Sequence, residues 1–462
     1  MAGKKKLAQL TPEEKLQQAL VPEAEQPYKV PANWCWTKLG SISLIKGGKR
    51  LPPGKKLNDI KTGYPYIRVT DFDSNSVDVN NIKYIDEETY KILDNYKISI
   101  NDIYISIAGS IGKVGIIPEI LNGAILTENA AKITNIILQN QIYLLYILCS
   151  EFCQNQMKES AIATTQSKLA LFRIANIKLP LPPLAEQQRI VERIESLFAK
   201  LDETKETLQN ALDGFETRKA AILHKAFTGE LTANWRKQYG VSMDSWEEKR
   251  LGEVCKINPS KINTKNLSDD LEVSFFPMAS LSEITGEIVG PEIRTLGKVK
   301  NDYTNFSEGD VVFAKITPCM ENGKSAIIGK LINGIGYGTT EFYVLRCGEE
   351  LSNKYLHHIV RSKKFRDEAK HHMTGAVGQQ RVPKKYMKEY MLNLPTLDEQ
   401  TEIISIIDEL LAKEQQAKEL AENAITKIDI IKKSILARAF RGELGTNNLA
   451  DEPAAELLKR ML

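Results

Sequence analysis

The chain has 462 residues, 42% of them hydrophobic and 26% charged, a balance that suits a folded protein and excludes an intrinsically disordered one. That length exceeds what one hydrophobic core usually serves, so two or more domains are expected. A net charge of +3 names no partner by itself. The longest apolar run, Ile142 to Cys149, is too short to cross a bilayer, and Met1-Ala2-Gly3-Lys4-Lys5-Lys6 leads into a polar stretch rather than a secretory signal, so a cytoplasmic location is expected.

Residues 1–32 read as an appendage, in which Thr11-Pro12-Glu13-Glu14 is a helix start and Pro22, Pro27 and Pro31 close whatever helix forms. Residues 33–180 read as a mixed block. A tryptophan-bearing opening is followed by β-rich runs such as Tyr66-Ile67-Arg68-Val69, punctuated by Gly and Asn, and then by a helix over 141–157. Leu179-Pro180-Leu181-Pro182-Pro183 is a stiff junction, because proline cannot continue a strand ladder and restricts its predecessor. Beyond it, within 181–232, a helix over 184–227 would be roughly 65 Å long. Its apolar positions Ile190, Ile194, Leu197, Leu201, Leu208, Phe215 and Ile222 keep a period of about 3.5 residues, which predicts a coiled coil, with Thr204 and Arg218 as polar intrusions.

The same plan then runs a second time. Ala226-Phe227-Thr228-Gly229-Glu230-Leu231 recurs 213 positions on as Ala439-Phe440-Arg441-Gly442-Glu443-Leu444, and Leu184-Ala185-Glu186-Gln187 recurs as Leu397-Asp398-Glu399-Gln400. The second seam is Ile403, Ile407, Leu410, Ile428, Ile431 and Ile435, interrupted by Glu414 and alanine-rich over 417–424. The blocks correspond with gaps: Trp34, Leu39 and Gly40 answer Trp246, Leu251 and Gly252, Gly112-Lys113 answers Gly323-Lys324, and Gln166 answers Gln379. The second block therefore spans 244–393, with a β run at Asp310-Val311-Val312-Phe313 and a helix over 353–372. A second helical segment over 394–445 follows it, then a tail over 446–462. The fold class expected is α+β: two mixed α/β domains joined by two long helices that form an antiparallel coiled coil, in a pseudo-twofold symmetric chain. Dimerisation through the same seams is the alternative.

No catalytic constellation is visible. Asn258-Pro259-Ser260-Lys261 lacks the second proline and the aromatic that an adenine methyltransferase uses to stack a flipped base. Gly323-Lys324-Ser325 ends like a phosphate-binding loop, but Pro318 stands at the leading glycine. Asp244 with Glu247-Glu248-Lys249 matches a nuclease carboxylate set only by chance. The six cysteines form no CxxC pair, and Cys149 and Cys153 read as packed thiols. His357-His358 and His371-His372 read as polar-face residues, so no metal is expected.

Basic side chains cluster in the blocks and away from the acid-balanced helices, which suits phosphate contact. The first cluster includes Lys46, Lys49, Arg50, Lys55 and Lys56; the second includes Lys363, Lys364, Arg366, Lys384 and Lys385. Loops that recur after a β run, with Gly109, Ser110 and Lys113 in one and Lys315, Thr317, Asn322 and Lys324 in the other, let a backbone approach phosphate closely. Thr165, Gln166 and Lys168, and Gln379, Gln380 and Arg381, precede the two junctions; Gln pairs with adenine and Arg with guanine in a major groove. Arg68 completes the expected DNA contacts.

Taken together, Leu-Pro-Pro-Leu-Ala-Glu-Gln-Gln-Arg-Ile at 181–190, Leu-Pro-Thr-Leu-Asp-Glu-Gln at 394–400, the Ala-Phe-x-Gly-Glu-Leu endings, Phe313-Ala314-Lys315-Ile316-Thr317-Pro318-Cys319, Gly112-Lys113-Val114-Gly115 and Gly378-Gln379-Gln380-Arg381-Val382-Pro383 resemble the specificity (S) subunits of type I restriction-modification enzymes, over residues 33–445. The resemblance implies two target recognition domains that each read half of a bipartite, asymmetric sequence in double-stranded DNA, with the paired helices as spacer. It also implies recruitment of two modification subunits, which carry S-adenosylmethionine, and of restriction subunits that use ATP and Mg. This chain itself would bind no cofactor, catalyse nothing and contact no membrane. The competing reading is a coiled-coil scaffold, or a DNA-binding protein, without sequence preference.

Overall fold

The computed structural model describes residues 11–137, 140–162 and 168–462. The chain forms two compact units: Met1–Thr207 with Ala424–Leu462, and Leu208–Asn423. Each unit therefore contains one mixed block and a stretch of both long helical segments.

In the first unit one sheet orders its strands Leu44–Gly47, Ala130–Thr134, Ile103–Ser106, Val114–Ile116, all antiparallel. Ile103–Ser106 is buried at every position, as expected of an inner strand covered on both faces. A second sheet orders Lys83–Tyr84, Pro65–Ile67, Ala124–Leu126, Lys97–Ile98, with Pro65–Ile67 and Ala124–Leu126 parallel. The second unit repeats both orders. Cys255–Ile257, Phe342–Cys347, Val311–Ala314 and Ser325–Ile327 form one sheet; Glu292–Thr295, Glu272–Phe276, Gly336–Gly338 and Thr304–Phe306 form the other, again with its two inner strands parallel. The duplication is thus one of topology as well as of motif.

A two-stranded ladder closes each block, Cys35–Lys38 on Lys178–Leu181 and Glu247–Arg250 on Met391–Leu394. Pro180 lies inside the first of these, opposite Trp36, where the sequence suggested a strand-free junction. A two-stranded ladder leaves one side of the strand without ladder bonds, so the missing N–H is tolerated.

Beyond the ladder, Glu186 and Gln187 are fully buried, as are Glu399 and Gln400. Gln187 accepts from the Asn140 backbone N–H at 2.8 Å, and Gln400 from that of Ser352 at 2.8 Å. The repeated Glu-Gln pair is therefore the joint that ties each long helix to its own block.

Three helical expectations are corrected. The single helices over 141–157 and 353–372 are each two, Gln141–Cys149 with Glu151–Ile162 and Asn353–Arg361 with Lys363–His371. Ser150 and Ser362 adopt extended backbone, and their hydroxyls accept from Cys153 and Phe365 N–H, so side-chain capping prevails over apolar periodicity. The helix over 184–227 breaks at Gly214 into Leu184–Asp213 and Phe215–Phe227, whereas its counterpart Leu397–Ala439 runs unbroken for 43 residues. A Cβ at Gly214 would lie 2.7 Å from Arg218 Nη1, which donates to the Ala211 carbonyl.

Within the seams, Ile190, Ile194, Phe215, Ile403, Ile407 and Ile428 are buried, while Leu197, Leu201, Leu208, Ile222, Leu410 and Ile435 are half-buried. Ile431 is 45% exposed and leaves the expected seam. A straight helix of 3.6 residues per turn drifts from a 3.5 repeat, and the neighbouring Lys432 takes the inward place, its ammonium 4.9 Å from the Phe198 ring centroid. In the first unit Asp202 pairs with Lys432 and Lys205 with Asp429, at 2.5 and 3.2 Å; in the second Arg218 pairs with Glu414 at 2.8 Å and Lys418 lies over Phe215. In each unit one residue number rises as the other falls, so the paired stretches run antiparallel.

The appendage and tail belong to the first unit. Helix Pro12–Ala19 starts at a Thr11–Glu14 capping box. Lys459 of helix Ala454–Met461 pairs with Glu13 at 2.5 Å, and Ala19, Ala454 and Leu458 enter the core. No described helix is long and apolar enough to cross a membrane.

Candidate nucleic-acid interface

In the first unit the turn Thr127–Asn129 gathers residues far apart in sequence. The Asn129 carbonyl accepts from Ile107 and Ala108 at 2.8 and 3.2 Å, and the Leu126 carbonyl from Lys49 at 2.9 Å. Glu128 pairs with Arg50 at 2.7 Å, and its carbonyl accepts from the Lys168 ammonium at 3.5 Å. Ala108 bridges to Lys168, so the Gly109-Ser110 turn stands beside it. Gly109 has a φ of +74° and open space where a Cβ would be, which leaves its backbone approachable. Lys46 is exposed on the neighbouring strand and Lys49 follows it. Burial, opposed by the Arg50 pair, acts on Glu128, and its pKa ends below the usual carboxylate range.

The second unit repeats the backbone of this turn, with Glu341 at the place of Asn129 and Thr340 at that of Glu128. Lys315 N–H donates to the Glu341 carbonyl at 2.9 Å, and its ammonium donates to the Thr340 carbonyl at 2.7 Å. Thr317 and Gln380 are joined twice: the Thr317 N–H donates to the Gln380 carbonyl at 3.0 Å, and the Gln380 N–H to the Thr317 hydroxyl at 3.1 Å. Arg381 forks onto Glu341, with Nη2 at 2.7 Å and Nε at 2.9 Å from the two carboxylate oxygens. A guanidinium held this way presents its remaining edge in a fixed plane. Gln379 is exposed beside it. The glycine loop and the glutamine segment, read separately in the sequence, are one assembly here.

Other expected residues lie elsewhere. Lys55 is held by Asp86 and Glu88, and Arg68 by the buried Asp71 at 2.6 Å. Lys113 donates to the Phe72 carbonyl at 3.3 Å and Lys324 to that of Met278 at 3.4 Å, each on the hairpin side of its loop. Asn322 donates to Glu283 at 3.1 Å, and Arg366 to the Glu321 carbonyl. Lys363 pairs with Asp367 on its own helix at 2.5 Å. Lys364 and Lys385 line a cavity of about 730 Å³ that also holds Glu368 and Glu389. Lys56 and Lys384 are exposed. No described contact brings Lys363, Lys364, Lys384 or Lys385 to the Gln380 turn. Thr165 and Gln166 lie outside the described residues. Glu128 and Glu341 were missed in the sequence; the strand register sets Glu128 against Thr340 and Asn129 against Glu341, so the two carboxylates are one position apart in the repeat.

No group of three or more described His, Cys, Asp or Glu residues is placed to hold a metal ion. Burial pushes the Cys149 and Cys153 thiols up to about 12, as for packed rather than reactive cysteines.

These two sites sit in domains of a known kind. The family model described as type I restriction modification DNA specificity domain matches twice, over residues 31–213 and 243–425, and the chain belongs to that family. It is 34% identical over 260 residues to the type I restriction enzyme EcoEI specificity subunit of Escherichia coli, an alignment covering 47% of this chain and 43% of that one. Against this relative and the EcoAI subunit of the same species, the chain spans less than half the relative's length. It is 24% identical to the StySPI specificity subunit of Salmonella potsdam across 92% of both chains. The crystal structure of the HsdS subunit from Thermoanaerobacter tengcongensis shares the fold, with a TM-score of 0.62 at 21% identity over 91% of this chain and all of that one.

Proposed function

We propose that this chain is the DNA-reading subunit of a type I restriction-modification complex. Each recognition domain reads one half of a bipartite, asymmetric target in double-stranded DNA. The two long helices act as an antiparallel coiled coil in a pseudo-twofold chain, setting the spacing and recruiting two modification subunits; restriction subunits join the full complex. S-adenosylmethionine, ATP and Mg belong to those partners, and this chain works in the cytoplasm as a non-catalytic component.

The observation that carries this reading is the turn before strands Ala130–Thr134 and Phe342–Cys347, built twice on one topology with different side chains around it: Arg50 on Glu128 and Lys168 on the Glu128 carbonyl in one, Arg381 on Glu341 and Lys315 on the Thr340 carbonyl in the other. Identical scaffolds with unlike tips suit two different half-sites. Of the expected contacts, Lys46, Lys49, Arg50, Gly109, Ser110 and Lys168, and Lys315, Thr317, Gln379, Gln380 and Arg381, are the ones we assign to the DNA. The test is to map methylated adenines genome-wide in cells with the modification subunits, with and without this chain. One bipartite motif should appear only with the chain; methylation unchanged by its loss, or caused by the isolated chain, overturns the reading.

A further inference from the structure

The duplication supplies an internal control that isolates one cavity of the second unit. The hydroxyls of Tyr143 and Tyr355 donate to the carbonyls of Pro180 and Asn393, at 3.0 and 3.2 Å. With the Gln187 and Gln400 bonds, this superposes helix Gln141–Cys149 on Asn353–Arg361 at an offset of 212. Leu145, Tyr146 and Cys149 then become His357, His358 and Arg361. Along the long helices, where the offset is 213, Lys432 and Asp202 become Lys219 and Gln415.

The two versions differ in charge and in filling. In the first unit Lys432 lies 2.5 Å from Asp202 and over Phe198, against which Tyr146 packs edge-on at 5.9 Å. In the second unit the aspartate is gone, and a cavity of about 890 Å³ opens, with Lys219, His357, Arg361 and Gln415 in its wall. Arg361 Nη2 donates to the carbonyls of Glu283 and Ile284, at 3.2 and 2.8 Å, but its Nη1 is buried without a partner, as is His357 Nε2. Lys219 has no ion pair among the described residues. Burial lowers the Lys219 pKa, with Arg361, Arg366 and Lys418 adding to the effect against Glu216. Burial, then Arg361 and His358, brings His357 down to about 3.

The carboxylates in the wall are already engaged or face one cation. Asp408 is bonded by His358 at 3.1 Å, Glu419 by Gln415 at 2.9 Å, and Glu287 acts on Arg361. Lys219 and Arg361, from two elements, thus bring two cations to one space, and a buried cation left unpaired is costly. The remaining wall is apolar, formed by Phe215, Ile284, Ile288 and Leu411. A guanidinium beside an ammonium is the pairing that recognises phosphate, and a cavity of this size with an apolar wall suits a small organic ligand.

We propose that this cavity binds a small phosphate-bearing anion, of nucleotide size or less, on Lys219 and Arg361. The inference does not rest on the DNA reading above. Its test is calorimetric titration of the full chain with inorganic phosphate and with adenosine monophosphate, against potassium chloride at matched ionic strength. Saturable binding is expected, weakened about tenfold or more by Arg361→Gln, a loss on the order of one charge-assisted pair. Gln415→Asp, which restores the ion pair of the first unit, keeps the fold and should weaken phosphate binding by a similar factor. Absence of saturable binding by both probes, or undiminished binding by Gln415→Asp, overturns the proposal. So does a Gln415→Asp effect confined to duplex DNA, which would make the cavity a backbone contact.

Discussion

The two buried glutamates that begin the long helices should respond differently to the same substitution. Glu399 accepts from Thr232 Oγ1 at 2.6 Å, from Trp246 Nε1 at 2.9 Å and from Arg236, which is itself 7% exposed. Glu186 accepts from Trp34 Nε1 at 2.7 Å, Asn447 at 2.8 Å and Thr446 at 3.3 Å, all neutral donors. Glu399→Gln removes the anion and leaves the Arg236 guanidinium buried and unpaired, which costs about 3–5 kcal/mol. Glu186→Gln strands no charge and forfeits hydrogen bonds to a charged acceptor, about 1.5–3 kcal/mol. Adding Arg236→Met to Glu399→Gln removes the stranded cation and should recover part of the loss. Urea unfolding gives the totals, and hydrogen exchange resolved by peptide assigns each loss to its unit. Equal costs for the two glutamine variants, with Arg236→Met simply adding to the damage, would refute the reasoning.

Gly48→Ala would place a Cβ 2.0 Å from the Thr127 carbonyl oxygen and 2.4 Å from that of Leu126. We expect a loss of about 1–3 kcal/mol in thermal unfolding, with DNA contact at the Glu128 turn weakened; an unchanged melting temperature would contradict the packing. His357 supplies a pH test. Its folded pKa is about 3 against roughly 6.5 unfolded, so between those values the unfolded state binds the extra proton. Stability is therefore full above roughly pH 6.5 and falls with pH by up to about 1.4 kcal/mol per unit until about pH 3. His357→Leu, the residue type found at Leu145, should flatten that part of the urea-midpoint profile; an unaltered slope would show that His357 does not titrate as described.

The sequence revealed what repeats by contact. Glu186 and Glu399, Trp34 and Trp246, and Gln187 and Gln400 are recognisable in pairs because each pair makes the same buried bonds. What it concealed was decided locally or at long range. Ser150 and Ser362 break helices that apolar periodicity would extend, since a hydroxyl cap competes with the next backbone bond. Ile431 obeys the 3.5-residue pattern yet faces water, because a straight helix does not follow that period. Glu128 and Glu341 carry no signal in composition. Their role depends on strands and loops that meet only in the fold, and they occupy adjacent rather than equivalent places in the two turns. Basic runs do not show which cations face a carboxylate, as Lys55, Arg68 and Lys363 do and as Arg50 and Arg381 do too.

The most direct measurement exchanges residues 33–180 for the corresponding domain of a relative with a different target, followed by mapping of methylated adenines in cells carrying the modification subunits. One half-site should change while the other half-site and the spacer length stay as they were. A change in both half-sites, or in neither, would contradict two independent reading domains on a common frame.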